Sequence, residues 1–242
     1  MPAFLLFRLY GPLVSWGTQA VGELRPSDTH PTRSAVLGLV GACLGLERAD
    51  EAGQAALAEG YGIAVRIDAL GAPVTDYHTV QAPPQKRGFA PRSRREELAV
   101  DQKETMVTRR TYRQDALSTI AIWARDGARW PLDAVADAMR RPVFMPYLGR
   151  KGCPPALPLD PQLVEATGLL IAFVAADTRF ADGELLRGLA RDPAATLCWD
   201  TDPPGDPLPS GRETLRRDQP VSRTRWQFVD RVEHVATMGD EG

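Results

Sequence analysis

Six alternating strand-like and helix-like segments predict an α+β fold built around one central sheet. Strand-like runs lie at Phe4–Tyr10, Tyr61–Leu70, Leu117–Ala124 and Val164–Ala176, and helical patterns follow the first and the third of them. The order along the chain is therefore strand, helix, strand, strand, helix, strand. This order is typical of a ferredoxin-like body. A long segment of different character is inserted between its second and third strands.

We expect this body to span residues 1–176 and a small C-terminal extension, residues 177–242, to pack on it. Hydrophobic residues make up 43% of the 242 residues and charged residues 25%, which is ordinary for a soluble globular protein. The longest apolar run, Gly168–Ala176, is too short to cross a membrane. The N-terminus lacks the basic region of a signal peptide. These features predict a cytoplasmic protein without membrane association.

The cysteines and the net charge bear on metal binding, disulfide formation and nucleic-acid binding. Cys43, Cys153 and Cys198 are far apart and have neither a metal-binding spacing nor a disulfide framework. We therefore expect no metal and no cofactor. The formal net charge is -2, so a nucleic-acid-binding surface would have to be local.

The first helix is predicted to begin at Arg33, behind the N-cap Thr32, and to end near Leu44. Three glycines within it suggest close packing against a sheet or an RNA strand. Free N–H groups at a helix start can bind phosphate, and Arg33 and Ser34 lie beside them. The spacing alone also fits a solvated residue at a helix start.

The other predicted elements are short, and a long irregular segment, Leu13–His30, precedes the first helix. In chain order they are a helix at Glu51–Glu59, a strand at Val74–Val80, a helix at Leu132–Arg140, a helix at Gly183–Ala190, a strand at Thr196–Trp199, an exposed basic segment at Arg212–Asp218 and an edge strand at Arg225–Val235.

The inserted segment from Lys86 to Arg113 is strongly basic, with nine positive residues against four negative ones. It has few apolar residues, so we interpret it as an arm that projects from the body towards a polyanion. Its second half, Glu104–Arg113, is β-prone and could form one strand of a hairpin. A solvated, disordered loop is the alternative. The basic residues of the arm are Lys86, Arg87, Arg92, Arg94, Arg95, Lys103, Arg109, Arg110 and Arg113.

A second basic loop, Phe144–Pro155, carries Gly149 and Gly152 on either side of Arg150 and Lys151, with Tyr147 just before them. Glycines permit a tight bend, basic side chains reach phosphates, and an aromatic ring can stack on a base. On composition alone this is a loop with a weak indication of anion binding.

Candidate catalytic groups are few. The chain has three histidines, and Tyr77-His78 is the pairing that could suggest acid–base chemistry. A lone histidine without a partner constellation is more often structural. We therefore expect no catalytic residues.

Six sequence blocks together resemble the CasD subunits of type I-E CRISPR Cascade, a branch of the fifth Cas protein family in the RAMP superfamily. The blocks are GPLVSWG, PTRSAVLGLVGACLG, DYHTV, TRRTYR, PYLGRKGCP and RRDQPVSR. They keep the family's order from near the N-terminus to about Arg223, whereas residues 156–209 match only loosely.

The resemblance implies an RRM-like, ferredoxin-like body with an inserted thumb at about Gln81–Asp115, and it places the family's YLGR loop on Tyr147–Arg150. It also implies a non-catalytic subunit that caps the 5′ handle of the CRISPR RNA. The expected partners are this RNA, the large PAM-reading subunit, the terminal backbone subunit and, through the complex, target DNA.

Single-stranded RNA is held by basic side chains along its backbone and by aromatic rings on its bases. Trp16 is a further candidate for base stacking. Two alternatives stay open: an endoribonuclease that processes precursor CRISPR RNA, and a scaffold whose arm meets an acidic protein. The expected RNA-binding residues are Arg33, Ser34, Lys86, Arg87, Arg92, Arg94, Arg95, Lys103, Arg109, Arg110, Tyr112, Arg113, Tyr147, Gly149, Arg150 and Lys151.

Overall fold

The structure is a computed structural model that describes residues 1–84, 90–181, 184, 186, 188–189 and 195–238. Within these residues its helices are α1 (Arg33–Leu44), α2 (Glu51–Gly60), α3 (Arg94–Leu98), α4 (Leu132–Arg140) and α5 (Leu169–Asp177). The strands are β1 (Ala3–Val14), β2 (Leu24–Arg25), β3 (Tyr61–Ala69), β4 (Ala72–Ala82), β5 (Glu104–Ala124), β6 (Gln162–Glu165), β7 (Thr196–Trp199), β8 (Arg212–Ser222) and β9 (Gln227–Thr237).

One large mixed α/β arrangement results, because the described strands join a single sheet in the order β6-β1-β5-β3-β7-β9-β8. Neighbours along this path are antiparallel. Two further strands pair with β5 outside the path: β4 is antiparallel to it and β2 is parallel to it. The expected α+β class is confirmed at this level.

Strand β5 connects the arm to the body. It has 21 residues, so it extends about 70 Å at the usual rise per residue. Its second half lies between β1 and β3 in the body, and its first half pairs with β4 beyond the body. Because one continuous strand belongs to both parts, the base of the arm is held in a fixed direction relative to the sheet.

Both faces of the central sheet are buried, which explains the continuous apolar run in β1. Leu5 and Phe7 face a core shared with α1 and α4, whereas Phe4 and Leu6 face a second core shared with α5. Successive side chains of a strand point to opposite faces. A strand covered on both sides is therefore apolar at every position rather than at alternate ones.

The predicted strand Val164–Ala176 is wrong over most of its length. A four-residue strand, β6, is followed by α5. The buried residues of α5 are Leu169, Ala172, Phe173 and Ala176, and their spacing of three and four residues is that of a helix face. A short apolar run fits either a buried strand or a buried helix, and the packing of the sheet decides between them.

The C-terminal segment continues the sheet of the body. The predicted strand at Thr196–Trp199 is confirmed as β7, which pairs with β3. The segment Arg212–Asp218, expected as an exposed basic stretch, lies in β8. The predicted helix at Gly183–Ala190 falls largely on residues outside the described set. Among the described residues, no helix is both long enough and apolar enough to span a membrane.

Candidate nucleic-acid interface

The arm is built on a long antiparallel hairpin of β4 and the first half of β5, here called the arm hairpin (Ala72–Gln114). Its ladder runs from the pair Ala72 and Gln114 to the pair Ala82 and Glu104. Helix α3 lies near its tip, and residues 85–89, which include the expected Lys86 and Arg87, lie outside the described residues. Because side chains alternate along a strand, the hairpin presents two different faces.

One face carries Arg109 opposite Tyr77. Both side chains are exposed, Tyr77 to 63% of its surface. No hydrogen bond or ion pair engages the Arg109 guanidinium within the described part of the chain. A free cation beside an open aromatic ring suits a phosphate and its neighbouring base. The sequence alone did not identify Tyr77 as a binding residue, because only the register of the hairpin places Arg109 opposite it.

The opposite face carries Arg110 and Tyr112. The Arg110 Nε donates to the Thr108 hydroxyl at 3.2 Å, which orients the guanidinium along the strand. Tyr112 lies beneath Arg150 of the loop after α4, with the guanidinium carbon 4.5 Å from the ring centroid. This cation–π contact joins the arm hairpin to the loop. It brings together two regions that are almost forty residues apart in the sequence.

The arginines near the tip are partly neutralised by acidic neighbours. Arg94 donates to Glu97 at 2.6 Å, and the Arg92 guanidinium lies 3.9 Å from Glu96. Arg95 and Lys103 are exposed, and no ion pair within the described residues involves them. The positive charge that a ligand could meet near the tip is therefore smaller than the number of basic residues in the sequence suggests. It is carried mainly by Arg95 and Lys103.

Arg113 has an internal role. Its guanidinium donates to the carbonyl oxygens of Asp28 at 2.8 Å, Leu70 at 3.1 Å and Gly71 at 3.3 Å. Burial lowers the pKa of this side chain. Arg113 therefore fixes the base of the arm hairpin to two neighbouring segments, and these carbonyls occupy much of the donor capacity that was expected to bind phosphate.

The expected phosphate site at the start of α1 is filled by the protein itself. Arg33 is 4% exposed and forms an ion pair with Asp200, and its guanidinium donates to the carbonyl oxygens of Ala58 and Tyr61. Burial lowers its pKa to about 10. The Arg33 backbone N–H donates to the Asp218 carboxylate at 2.7 Å, so an internal anion occupies the helix N-terminus.

Ser34 and Trp16 are also engaged within the protein. The Ser34 hydroxyl lies 3.0 Å from that of Thr32, its residue is half-buried, and its carbonyl accepts from Arg223 at 2.7 Å. Trp16 is 2% exposed and belongs to the core. Trp16 is therefore closed to a base, whereas the Ser34 hydroxyl has a partner within the protein. The prediction of Thr32 as N-cap is confirmed, since its hydroxyl accepts from the Ala35 N–H at 3.1 Å.

The loop after α4 packs on the chain that follows β1. Gly149 has a φ of +84°, and a Cβ there would lie 1.7 Å from the Ser15 carbonyl oxygen. The Ser15 N–H donates to the Leu148 carbonyl at 3.1 Å. The requirement for glycine therefore comes from close packing within the protein. Gly149 was expected among the RNA-binding residues, in a loop whose glycines permit a tight bend.

The same loop holds Arg150 and displays Tyr147 and Lys151. Arg150 donates to the Arg25 carbonyl at 3.1 Å, and its second terminal nitrogen is buried with no hydrogen-bond partner among the described residues. Tyr147 is 42% exposed, and Lys151 is also exposed. Arg150 thus positions Tyr112, whereas Tyr147 and Lys151 point to solvent.

The pairing of Tyr77 and His78 is not formed. Consecutive residues of β4 point to opposite faces of the arm hairpin, so the two side chains cannot act on one scissile bond. His78 is half-buried and lies 3.8 Å from Asp76.

A different histidine lies in a buried cluster, where ligand atoms of His30, Cys198 and Glu233 lie within 4.8 Å of one another. The Arg216 guanidinium contacts both His30 and Glu233 there, so a fixed cation already balances the carboxylate. Burial also raises the pKa of the Cys198 thiol to about 12. A guanidinium already paired with two of the three groups disfavours a metal ion there.

Comparisons with known proteins agree on one family. A family model described as "CRISPR-associated protein (Cas_Cas5)" matches residues 4–232. The chain is 37% identical over 167 residues to the CRISPR system Cascade subunit CasD of Escherichia coli (strain K12), which covers 66% of this chain and 70% of that relative.

Two solved structures have a similar fold. One, described as a CRISPR RNA-guided surveillance complex, superposes with a TM-score of 0.63 at 23% identity and covers 97% of this chain and 90% of the other. The second, described as the crystal structure of a Cas protein, gives a TM-score of 0.61 at 26% identity over 97% of this chain and 94% of the other.

Proposed function

This chain belongs to the Cas5 family of CRISPR-associated proteins, and from this premise we propose that it is a non-catalytic CRISPR RNA-binding subunit of a type I-E Cascade surveillance complex. It acts in antiviral defence in the cytoplasm. The subunit caps the 5′ handle of the RNA. Its protein partners are the large PAM-reading subunit and the terminal backbone subunit, and it meets target DNA through the complex.

The strand order supports a ferredoxin-like, RRM-like body. Strands β1, β3, β5 and β6 are the four strands of that body, and they lie in the order β6-β1-β5-β3 with antiparallel neighbours. Helices α1 and α4 supply the two crossovers on one face. The arm hairpin is then the thumb, inserted between β3 and the body half of β5. Residues 177–242 form an extension that prolongs the sheet through β7.

The contact of Arg150 with Tyr112 is the observation that carries the proposal. It joins the arm hairpin to the loop after α4, so that basic and aromatic side chains of the two regions lie together. Such surfaces hold single strands through phosphate contacts and base stacking. The RNA-contacting residues in this proposal are those of the expected set that remain open to solvent, together with Tyr77. They are Tyr77, Arg92, Arg95, Lys103, Arg109, Arg110, Tyr147 and Lys151.

Two members of the expected set support this surface from within. Gly149 permits the bend that brings Arg150 over Tyr112, and Arg113 fixes the base of the hairpin. Arg94 is held by Glu97 and serves mainly to order α3. Tyr77 and His78 project from opposite faces of β4 and cannot act together on one scissile bond, so cleavage of RNA is not part of the proposed activity.

Replacing both Arg109 and Arg110 with Ala is expected to weaken binding of repeat-derived handle RNA. Each lost phosphate contact lowers the slope of log K against log salt by about 0.7 for a single strand, so the double variant should lose about 1.4. Fluorescence anisotropy with labelled RNA at several salt concentrations measures this slope.

The matched control replaces Arg129 and Arg179 with Ala, two exposed arginines that lie outside the arm hairpin. This control removes the same charge but should leave the slope unchanged. An unchanged slope in the Arg109→Ala/Arg110→Ala variant would exclude these residues from the site. Complete failure of the wild type to bind RNA, with assembly intact, would favour the protein scaffold.

Incubation of the chain with repeat RNA, with and without divalent cations, is expected to give no specific cleavage product. The physical reason is that Tyr77 and His78 project from opposite faces of β4. Gel electrophoresis of end-labelled RNA detects any defined cut. A single product that disappears in His78→Ala would instead identify a processing endoribonuclease.

A further inference from the structure

A four-residue turn between β8 and β9 presents aromatic and basic residues that the interface above does not use. Ser222 pairs with Gln227, which leaves Arg223, Thr224, Arg225 and Trp226 in the turn. Trp226 has a φ of +56° and is 59% exposed. A non-glycine residue at positive φ carries backbone strain. Such strain is more typical of functional positions than of structural turns.

The exposed tryptophan is held in a defined orientation. The Arg48 guanidinium lies over its ring at 4.5 Å from the centroid, and Phe228 packs perpendicular to it at 5.4 Å. The Arg48 Nε also donates to the Arg223 carbonyl at 2.8 Å. These contacts preorganise the ring and leave much of its surface open. We call Arg48, Arg223, Trp226 and Phe228 the turn surface.

Arg223 connects the turn surface to the start of α1. Its guanidinium donates to the Ser34 carbonyl at 2.7 Å and lies 5.9 Å from the Phe228 ring. Its Nε is buried without a hydrogen-bond partner among the described residues. Gly38 lies beneath it, where a Cβ would come within 3.7 Å of the guanidinium. This is an ordinary packing distance, so the guanidinium lies directly against the helix at Gly38.

Burial lowers the pKa of the Arg223 guanidinium, and the charge of Tyr147 acts in the opposite direction. Tyr147 belongs to the same loop as Arg150, which stacks on Tyr112 of the arm hairpin. The loop also contacts α1, because the Val143 and Phe144 N–H groups donate to the Cys43 and Ala42 carbonyls. It therefore touches both the arm hairpin and the helix that holds Arg223.

We propose that the turn surface holds an unpaired base of the single-stranded RNA on the open part of Trp226. This inference rests on the proposed function, because it extends the RNA path from the arm hairpin. Base stacking on an aromatic ring next to a guanidinium plane is a common mode of single-strand recognition. The nearest acid, Glu51, is already engaged by the Ser222 hydroxyl at 2.7 Å.

The test compares Trp226→Ala with Val229→Ala, a matched change of an exposed apolar residue on the same hairpin. Handle RNA followed by a guide segment is the probe, together with a series shortened from each end one nucleotide at a time. Loss of one stacked base should weaken binding of the longest RNA by roughly 5- to 150-fold. The Val229→Ala variant should bind like the wild type. Trp226→Phe should restore most of the affinity.

Tryptophan fluorescence supplies a second readout that does not depend on affinity. Trp16, Trp123 and Trp199 are buried, and Trp130 is only partly buried, so stacking should quench mainly the emission of Trp226. We expect RNA to quench the wild type and to leave Trp226→Phe nearly unaffected. RNAs too short to span both surfaces should bind the wild type and Trp226→Ala equally.

The outcomes separate this inference from the proposed function. Loss of binding in the Arg109→Ala/Arg110→Ala variant, together with wild-type affinity and quenching in Trp226→Ala and Trp226→Phe, overturns only the turn surface. Wild-type RNA binding with loss of complex assembly in Trp226→Ala would assign the turn to a protein partner and overturn the RNA path. Absence of RNA binding by the wild type would overturn both.

Discussion

Replacing Glu233 with Gln should lower the free energy of unfolding by about 3–5 kcal/mol, the usual cost of removing one partner from a buried ion cluster. Glu233 is 4% exposed. Its carboxylate accepts from Arg231 at 2.8 Å and from Arg216 at 3.1 Å, and lies 3.1 Å from His30 Nε2. The Gln variant leaves these two arginines buried with one negative charge fewer. Chemical denaturation at neutral pH measures the loss.

The stability should also depend on pH in a defined window. The neighbouring cations and His30 lower the pKa of Glu233 from 4.5 to about 2. A lowered carboxyl pKa stabilises the folded state above the unfolded value and loses this contribution as pH falls through the folded value. A shift of this size corresponds to roughly 3 kcal/mol. The difference in stability between wild type and Glu233→Gln should therefore shrink between pH 4.5 and pH 2.

Glu213→Gln is the matched control for this experiment. Glu213 lies on β8, its side chain is 69% exposed, and its ion-pair partner is His234 at 4.0 Å. An exposed pair contributes little, so this variant should unfold like the wild type. Equal stabilities of Glu233→Gln and Glu213→Gln would contradict a structural role for the buried cluster.

The cluster matters for the arm as well as for the C-terminal hairpin. Arg216 donates to the Asp28 carboxylate at 2.8 Å, while the Asp28 carbonyl accepts from Arg113 at 2.8 Å. One residue thus joins the base of the arm hairpin to β8 and, through Arg216, to Glu233. Loosening this cluster should therefore weaken RNA binding through the orientation of the arm, even though none of its residues contacts RNA in our proposal.

Gly149→Val should destabilise the protein by about 3 kcal/mol or more. The backbone at this position has a φ of +84°, which costs a β-branched residue about 1–3 kcal/mol. The new Cβ would also meet the Ser15 carbonyl oxygen at 1.7 Å. The loop has to move away, which breaks the hydrogen bond from Ser15 to Leu148 and takes Arg150 off Tyr112. Thermal unfolding and RNA binding should both report the change.

Gly152→Val tests whether the loop tolerates valine at a glycine that has no close neighbours. No atom lies within 4 Å of a Cβ built at Gly152, so the same substitution three residues later should be tolerated. If Gly149→Val does not yield folded protein, Gly149→Ala gives the smaller loss that can still be measured. Wild-type stability of both Gly149 variants would mean that the loop does not pack on Ser15 as described.

Much of the architecture follows from the sequence alone because local patterns decide it. Thr32 predicted the start of α1, and the period of apolar residues predicted α4 at its observed bounds. The order of elements gave the α+β class, and six sequence blocks in order gave the family. The excess of arginine in the arm identified the segment that carries the proposed interface. Each of these conclusions depends on neighbours close in the chain.

Only the tertiary structure separated the arginines that face solvent from those that hold the protein together. Arg33, Arg113 and Arg109 cannot be told apart by sequence. Arg33 forms an ion pair with Asp200, Arg113 donates to three backbone carbonyls, and the Arg109 side chain has no partner within the described residues. The apolar run after β6 became a helix for the same kind of reason. A guanidinium or an apolar run has no preferred partner of its own. Burial, hairpin register and the nearest carboxylate decide its role, and these are set by segments distant in the chain.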